Sequence, residues 1–345
     1  MDYKSAGVDI DAGNETVRRI RALARSTFTS GVLSDIGSFG GLFQLESGRF
    51  REPVLVASAD GVGTKLKIAF MTGRHDTVGI DLVNHCVNDI LVQGADPLFF
   101  LDYLATGRLS PAVAEQIVSG IAAACRDNGC ALLGGETAEM PGFYNDGEYD
   151  LAGFIIGATD RERLITGRQI LVGDVLVGVP SSGLHTNGFS LARHIVFERL
   201  RLSVDSPVPE LGCTVGEALS EPHRSYARCI KPLLDGGRIK GMAHITGGGI
   251  TDNVPRVLPH GTSAVIDAGA WEVPPLFKWL QRNGQVPIDD MMRTFNMGIG
   301  LVIVTARDKA EPLMEELAAR GGRDARVIGV IEPGEPPSVS YVNLS

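Results

Sequence analysis

The segment PVLVASADGVGTK, residues 53–65, runs an apolar strand into a glycine turn that carries an acid, a hydroxyl and a lysine. Residues 53–58 read as a buried strand, and the chain turns at Asp60-Gly61. Gly61 and Gly63 let backbone N–H groups approach an anion. Lys65 adds a positive charge, Thr64 a hydroxyl, and Asp60 a hard oxygen ligand for Mg²⁺. The GxxxxGK[ST] spacing of a Walker A loop is absent. The competing reading is a tight turn with a surface lysine.

Outward from this turn, residues 77–93 predict a helix, with Val78, Leu82, Cys86 and Ile90 on one face. Asp81, His85 and Asp89 recur at i+4 on another, with Asn84 and Asn88 beside them. Helical rise separates Asp81 from Asp89 by roughly 12 Å, so one ion cannot take both. Asp60 and Asp89 are the expected metal ligands, and Asp81 is expected near the start of the helix. The competing reading is a solvated polar face. Residues 98–104 read as a strand. Residues 111–128 read as a helix with Ser110 as N-cap, Pro111 at the first position and Gly129 as C-cap. Residues 131–133 form a short strand before GGETAEMP (134–141). There Glu136 and Glu139 are expected to join Asp60 and Asp89, the alternative being a helix N-cap region. A strand over 149–159 completes an alternation that predicts a layered α/β or α+β fold.

The charged stretch 160–174 marks the expected domain boundary, giving an N-terminal domain 1–165 and a C-terminal domain 166–345. The second half repeats the alternation, with strands expected at 175–179, 264–266, 298–304 and 326–330. Helices are expected at 189–200, 222–234, 274–283 and 309–320. Each half is therefore a mixed sheet with flanking helices. SSGLHTNGFS (181–190) follows a strand and opens a helix, as does HITGGGI (244–250). Hydroxyls, glycines and a helix start suit an anion. His185 and His244 read either as functional groups or as turn histidines.

Composition narrows the partners. The chain has 345 residues, 44% hydrophobic and 21% charged, which excludes a mainly disordered or fibrous protein. A net charge of −9 disfavours nucleic acid and anionic membranes. The four arginines between 18 and 25 read as a solvated helix face. Five scattered cysteines offer no paired CxxC spacing, so a zinc site is not expected and a reducing compartment is. With no apolar signal segment and no apolar run of about 18 residues, the expectation is a soluble cytoplasmic protein.

Together these segments resemble the phosphoribosylformylglycinamidine cyclo-ligase family of purine biosynthesis. The resemblance rests on YKSAGVDIDAGN (3–14), REPVLVASADGVGTK (51–65), RHDTVGIDLVNHCVNDILVQGADPLFFLDYLATG (74–107), GGETAEMPG (134–142), SSGLHTNGFS (181–190), HITGGGITDNVPRVLP (244–259) and RTFNMGIG (293–300). GVDIDAGN and FFLDYLATG are the most specific. DGVGTK and the GG-acidic turn are similar to elements of formylglycinamidine ribonucleotide synthetase, selenophosphate synthetase and thiamine-monophosphate kinase. The family's Gly-Gly-Phe-Gly loop reads Gly37-Ser38-Phe39-Gly40-Gly41 here.

The resemblance implies an ATP-dependent ring closure, in which the formyl oxygen of formylglycinamidine ribonucleotide is phosphorylated and a nitrogen then displaces phosphate. It implies that Asp60, Asp89 and Glu136 hold Mg²⁺–ATP, with Gly61, Gly63, Thr64, Lys65, Asp81 and Asn88 around the nucleotide. Ser181, Ser182, Gly183 and Asn187 are expected at the substrate, and Thr246, Gly247, Gly248 and Gly249 at a phosphate. Lys65, Asp89, His185 and His244 are the expected catalytic residues, with His185 the candidate base. His244 stands where some relatives carry an acidic metal ligand. The family is similar to a homodimer whose N-terminal sheets join, and an apolar sheet edge near 98–104 would suit that. A small-molecule kinase and a nucleotide-binding module are the competing functions.

Overall fold

The computed structural model describes residues 7–344, so residues 3–6 of the YKSAGVDIDAGN segment lie outside it. Internal packing divides the chain into two compact units, Met1–Ile90 with Ala95–Glu162, and Leu91–Gly94 with Arg163–Ser345. Among the described residues no helix is long and apolar enough to cross a membrane.

The first unit is a four-stranded mixed sheet of order β1-β4-β2-β3, with β1 Pro53–Gly61, β2 Asp96–Thr106, β3 Ala131–Glu139 and β4 Tyr149–Asp160. β4 is antiparallel to β1 and β2, and β2 is parallel to β3. Its helices are α1 (Ile10–Arg25), α2 (Leu66–Thr72), α3 (Asp76–Leu91) and α4 (Pro111–Asn128). α4 begins and ends as expected, with Pro111 in its first turn and Gly129 left-handed at φ 73°. α1 starts at Ile10, where Asp9 caps it by accepting from the Asp11 and Ala12 amides.

α3 and α4 meet backbone to backbone. A Cβ on Gly79 would lie 2.2 Å from the Ile117 carbonyl oxygen, and one on Gly120 would lie 1.9 Å from that of Asp76. Only glycine permits this approach, and it buries α3 on nearly every side. Val78, Leu82, Cys86 and Ile90 are fully buried, each large aliphatic among them contributing about 1.5–3 kcal/mol. The polar stripe is buried too: Asp81 and Asn88 are 0% exposed, His85 4% and Asn84 8%. A solvated face is therefore excluded. Asp81 also lies in the second turn rather than at the helix start.

Two further expectations change. β2 is not an edge, since β4 and β3 flank it. The apolar surface is instead the open face of the sheet, where Leu55 is 62% and Phe154 42% exposed. β3 does not stop at Leu133. It continues through Gly134-Gly135 to Glu139, in register with Leu101–Thr106 of β2.

The second unit is a six-stranded sheet of order β12-β9-β11-β5-β10-β8. Its strands are β5 Val175–Pro180, β8 Gly241–His244, β9 Thr262–Asp267, β10 Ile299–Thr305, β11 Arg326–Pro333 and β12 Val339–Val342. A two-stranded ribbon, β6 Pro207–Val208 with β7 Cys213–Thr214, lies apart from it. The helices are α5 Phe189–Arg193, α6 Val215–Ser220, α7 Ala227–Ile230, α8 Gly249–Asn253, α9 Pro275–Gly284, α10 Ile288–Thr294 and α11 Ala310–Ala319. Every residue of β10 is buried. The strand expected before HITGGGI is β8, whereas β12, α6, α10 and the β6–β7 ribbon escape the sequence reading. The helix expected at 222–234 forms only from Ala227. Ahead of it, Arg224 Nη1 and Tyr226 Oη both donate to the Pro180 carbonyl at 3.0 Å, which ties 222–226 to the end of β5.

Candidate functional site

In the first unit the polar stripe of α3 faces the carboxyl end of β1. Strand alternation aims Ser58 and Asp60 at the helix layer. Asp60 Oδ2 lies 2.8 Å from His85 Nε2, and Asp89 Oδ2 lies 4.0 Å from the same nitrogen. Ser58 Oγ donates to Asp89 Oδ2 at 2.9 Å. Burial alone would lower His85, but the hydrogen bond to Asp60 and the charges of Asp89, Asp60 and Asp81 outweigh it and raise the imidazole above its ordinary value. Burial raises Asp60, and His85 more than offsets it, so this carboxyl is held below the usual range. The imidazole thus lies between two carboxylates. Two carboxylates converging on one point are also a hard-oxygen donor set that Mg²⁺ takes, so Asp60 and Asp89 fit that ion.

Lys65 does not stand at the surface. Its ammonium is 1% exposed and donates to Asp81 Oδ1 at 2.8 Å, one turn of α3 before His85. Thr64 and Gly63 are exposed at the turn, whose 3₁₀ segment Gly63–Lys65 leads directly into α2. Asn88 is buried on α3.

Glu136 does not join this group within one chain. The register aligns Asp60, Gly153, Asp102 and Gly135 in one row facing the helices, and Gly61, Ala152, Tyr103 and Glu136 in the next. Adjacent rows face opposite sides of a sheet. Glu136 therefore belongs to the open face, and three interstrand spacings, about 14 Å, separate its strand from β1. Glu139 is structural: its two oxygens accept from the Asp9 and Leu109 amides at 2.7 Å each. Asp102 is a buried acid the sequence reading missed. Burial pushes its carboxyl up to about 7.

In the second unit the two glycine loops follow β5 and β8. Ser181 Oγ donates to Asn296 Oδ1 at 3.0 Å, and Asn296 Nδ2 donates to the Gly183 carbonyl at 2.9 Å. Asn296, in the RTFNMGIG segment, thus holds the first loop from below. Asn253 does the same for the second, donating Nδ2 to the carbonyls of Gly247 at 3.1 Å and Gly249 at 2.9 Å. Asn296 was invisible in sequence, since it acts on a loop 113 residues away that only folding brings near, whereas Asn253 follows its own loop by four to six residues. Gly248 and Gly249 have φ of +96° and +61°, and a Cβ on Gly249 would lie 1.9 Å from the Met292 carbonyl oxygen. Gly247 has neither constraint. Its nearest contact for a Cβ is Asn187 Oδ1 at 3.3 Å.

His185 is 1% exposed with φ 62°, and its Nε2 accepts from the Ser182 amide at 3.2 Å. That bond occupies the lone pair a general base at Nε2 would need, so this geometry does not favour His185 as the base. His244, the last residue of β8, is 6% exposed. Beside Ser181, Ser182 and Gly183 lies a pocket of about 500 Å³ that also includes Glu217, Glu221 and Phe277. Thr246 Oγ1 reaches Asn253 Oδ1 at 3.4 Å.

The family described as AIR synthase related protein, N-terminal domain, matches residues 49–159, and its C-terminal domain counterpart matches residues 172–342. The chain is similar to the phosphoribosylformylglycinamidine cyclo-ligase of Trichlorobacter lovleyi, 55% identical over 96% of this chain and 94% of that one. It is also similar to the one from Geobacter sulfurreducens, 54% identical over 97% and 96%. Among solved structures it resembles thiamine-monophosphate kinase from Stenotrophomonas maltophilia, with TM-score 0.68, 17% identity and 94% and 96% of the two chains covered. It likewise resembles hydrogenase maturation protein HypE in complex with ATP, with TM-score 0.67, 17% identity and 95% and 92% covered. At those identities the likeness is one of fold.

Proposed function

The chain belongs to the phosphoribosylformylglycinamidine cyclo-ligase family, and on that premise we propose that it closes the imidazole ring of 5-aminoimidazole ribonucleotide. Formylglycinamidine ribonucleotide and ATP are consumed, and ADP and phosphate are released. The formyl oxygen takes the γ-phosphoryl group, a nitrogen of the same substrate attacks the activated carbon, and that oxygen departs with the phosphate. The observation that carries this reading is the acid–imidazole–acid cluster in which partly exposed Asp60 and Asp89 flank buried His85, in a chain that matches cyclo-ligases along nearly its whole length.

Asp60 and Asp89 would hold Mg²⁺, which when bound neutralises charge on the phosphates. The chain's own contribution is placement. Ser58 fixes Asp89, and His85 orients Asp60 until the ion arrives. Lys65 and Asp81 form the buried base of the stripe, so Lys65 acts on the site through its position in this pair. The backbone of Gly61 and Gly63 admits the phosphate chain. In the second unit Ser181, Ser182, Gly183 and Asn187 receive the substrate, and Gly247 with Thr246 binds its phosphate. Positioning and charge neutralisation are the principal demands of such a transfer.

The open apolar face of the first sheet supports a homodimer joined through these faces, which would cover Leu55 and Phe154. Cytoplasmic location fits a chain whose described residues include no helix long and apolar enough to cross a membrane.

A steady-state assay of ADP release, run with and without formylglycinamidine ribonucleotide, tests the function. The expected result is ADP release dependent on this substrate and matched by aminoimidazole. Turnover with thiamine monophosphate in its place, or ATP binding without aminoimidazole, would overturn it.

A further inference from the structure

The second unit holds a cluster of three buried histidines. His185 follows β5, His223 lies in the extended stretch before α7, and His244 ends β8. Each offers a ring nitrogen, and the three nitrogens lie within 4.8 Å of one another. The residues are 1%, 1% and 6% exposed. His223 Nε2 faces His244 Nε2 at 3.0 Å, and the His185 ring stacks on His223 with centroids 3.9 Å apart. The fold makes room for this. A Cβ on Gly300 would lie 2.5 Å from His185 Cε1 and 2.1 Å from Tyr226 Oη.

Two facing imidazole nitrogens share one proton between them, and a divalent cation can replace that proton. Imidazole selects borderline ions such as Zn²⁺, Co²⁺ and Ni²⁺, whereas Mg²⁺ prefers carboxylates. The two units therefore carry donor sets of different hardness. Nitrogens bound to one tetrahedral Zn²⁺ at about 2.0–2.1 Å lie roughly 3.3 Å apart. The His223–His244 pair is already near that span. His185 completes the set by turning its ring out of the stack and releasing the Ser182 amide.

We propose that His185, His223 and His244 form a binding site for one borderline divalent transition-metal ion. Outer contacts for such an ion are in place. Thr186 Oγ1 lies 3.4 Å from His223 Nδ1, which leaves Nε2 as the ligand atom. Because His185 and Thr186 both belong to the 181–190 loop, a bound ion fixes that loop. The site itself does not depend on the activity proposed above.

The test uses the full chain, stripped with chelator and titrated with Co²⁺ in excess Mg²⁺. Visible absorption and equilibrium dialysis are the readouts. The expected result is one Co²⁺ per chain with the intense visible bands of a four-coordinate, nitrogen-rich site. His223→Gln and His185→Gln, each checked for folding by circular dichroism, should each weaken binding at least tenfold. A double variant of the surface histidines, His194→Gln with His260→Gln, should retain it. Failure of the native chain to bind Co²⁺ stoichiometrically, or unchanged affinity in whichever of the two site variants folds, would overturn the proposal.

Discussion

Replacing Lys65 with methionine separates its two possible uses, because a buried ion-pair partner and a phosphate ligand fail in different ways. The ammonium is 2.8 Å from Asp81 Oδ1, and both side chains are essentially inaccessible. In Lys65→Met the Asp81 carboxylate keeps its burial and loses its cation. It can escape the penalty by taking a proton. From an ordinary carboxylate value near 3.9, protonation costs about 4 kcal/mol at pH 7 and about 1.5 kcal/mol at pH 5. Breaking a buried pair from one side independently costs about 3–5 kcal/mol. For a unit of this size that corresponds to a fall in Tm of roughly 6–20 °C at pH 7. Asp81→Asn strands the ammonium and should cost a similar amount. The double variant Lys65→Met/Asp81→Asn should be more stable than the two single losses added together, and that difference is the coupling energy. The assay is thermal and urea unfolding at pH 7 and pH 5, without nucleotide. If Lys65→Met leaves Tm unchanged at both pH values and only weakens ATP binding, the ammonium serves the phosphates and the buried-pair argument fails.

Asp89→Asn keeps the Ser58 contact but halves the carboxylate charge of the cluster, and should lower kcat more than tenfold, above about 1.4 kcal/mol; activity near that of the native chain across a Mg²⁺ titration would remove Asp89 from the metal site. Gly247→Ala should raise the KM for formylglycinamidine ribonucleotide with little change in Tm, since only Asn187 Oδ1 stands near its new methyl group; Gly248→Ala should lower Tm whether or not substrate binds, because φ there is +96°. Asp102 binds its proton more tightly when folded, so its contribution to stability is complete below about pH 4 and is lost as pH rises through about 7. Asp102→Asn should therefore gain on the native chain by on the order of 3 kcal/mol between pH 5 and pH 8, and parallel urea-unfolding profiles for the two proteins would contradict this.

The sequence was most legible where local chemistry and tertiary packing agree. The helix over 111–128 carried its own proline start and glycine stop, and no distant contact had to override them. The strand at 53–58 and the i+4 stripe of α3 were equally plain. What periodicity could not reveal was which side of α3 meets water. Gly79 and Gly120 decide that by letting two helices touch, and a pair of glycines forty residues apart has no pattern to read. Glu136 was misassigned for a related reason. Its place at a strand end looked equivalent to that of Asp60, but strand order and row parity put the two acids on opposite faces. His223 and Asn296 became visible only in three dimensions, because each acts on a loop distant in sequence. The helix expected at 222–234 was shortened by hydrogen bonds to Pro180, a long-range pull on a segment with adequate local propensity.

The proposed ring closure requires that ATP activate the formyl oxygen before the ring closes. Formylglycinamidine ribonucleotide labelled with ¹⁸O at the formyl position, turned over by the purified chain with ATP and Mg²⁺, reports this directly by mass spectrometry of the released phosphate. One labelled oxygen per phosphate is the predicted result. Unlabelled phosphate, with the label recovered in water, would contradict it.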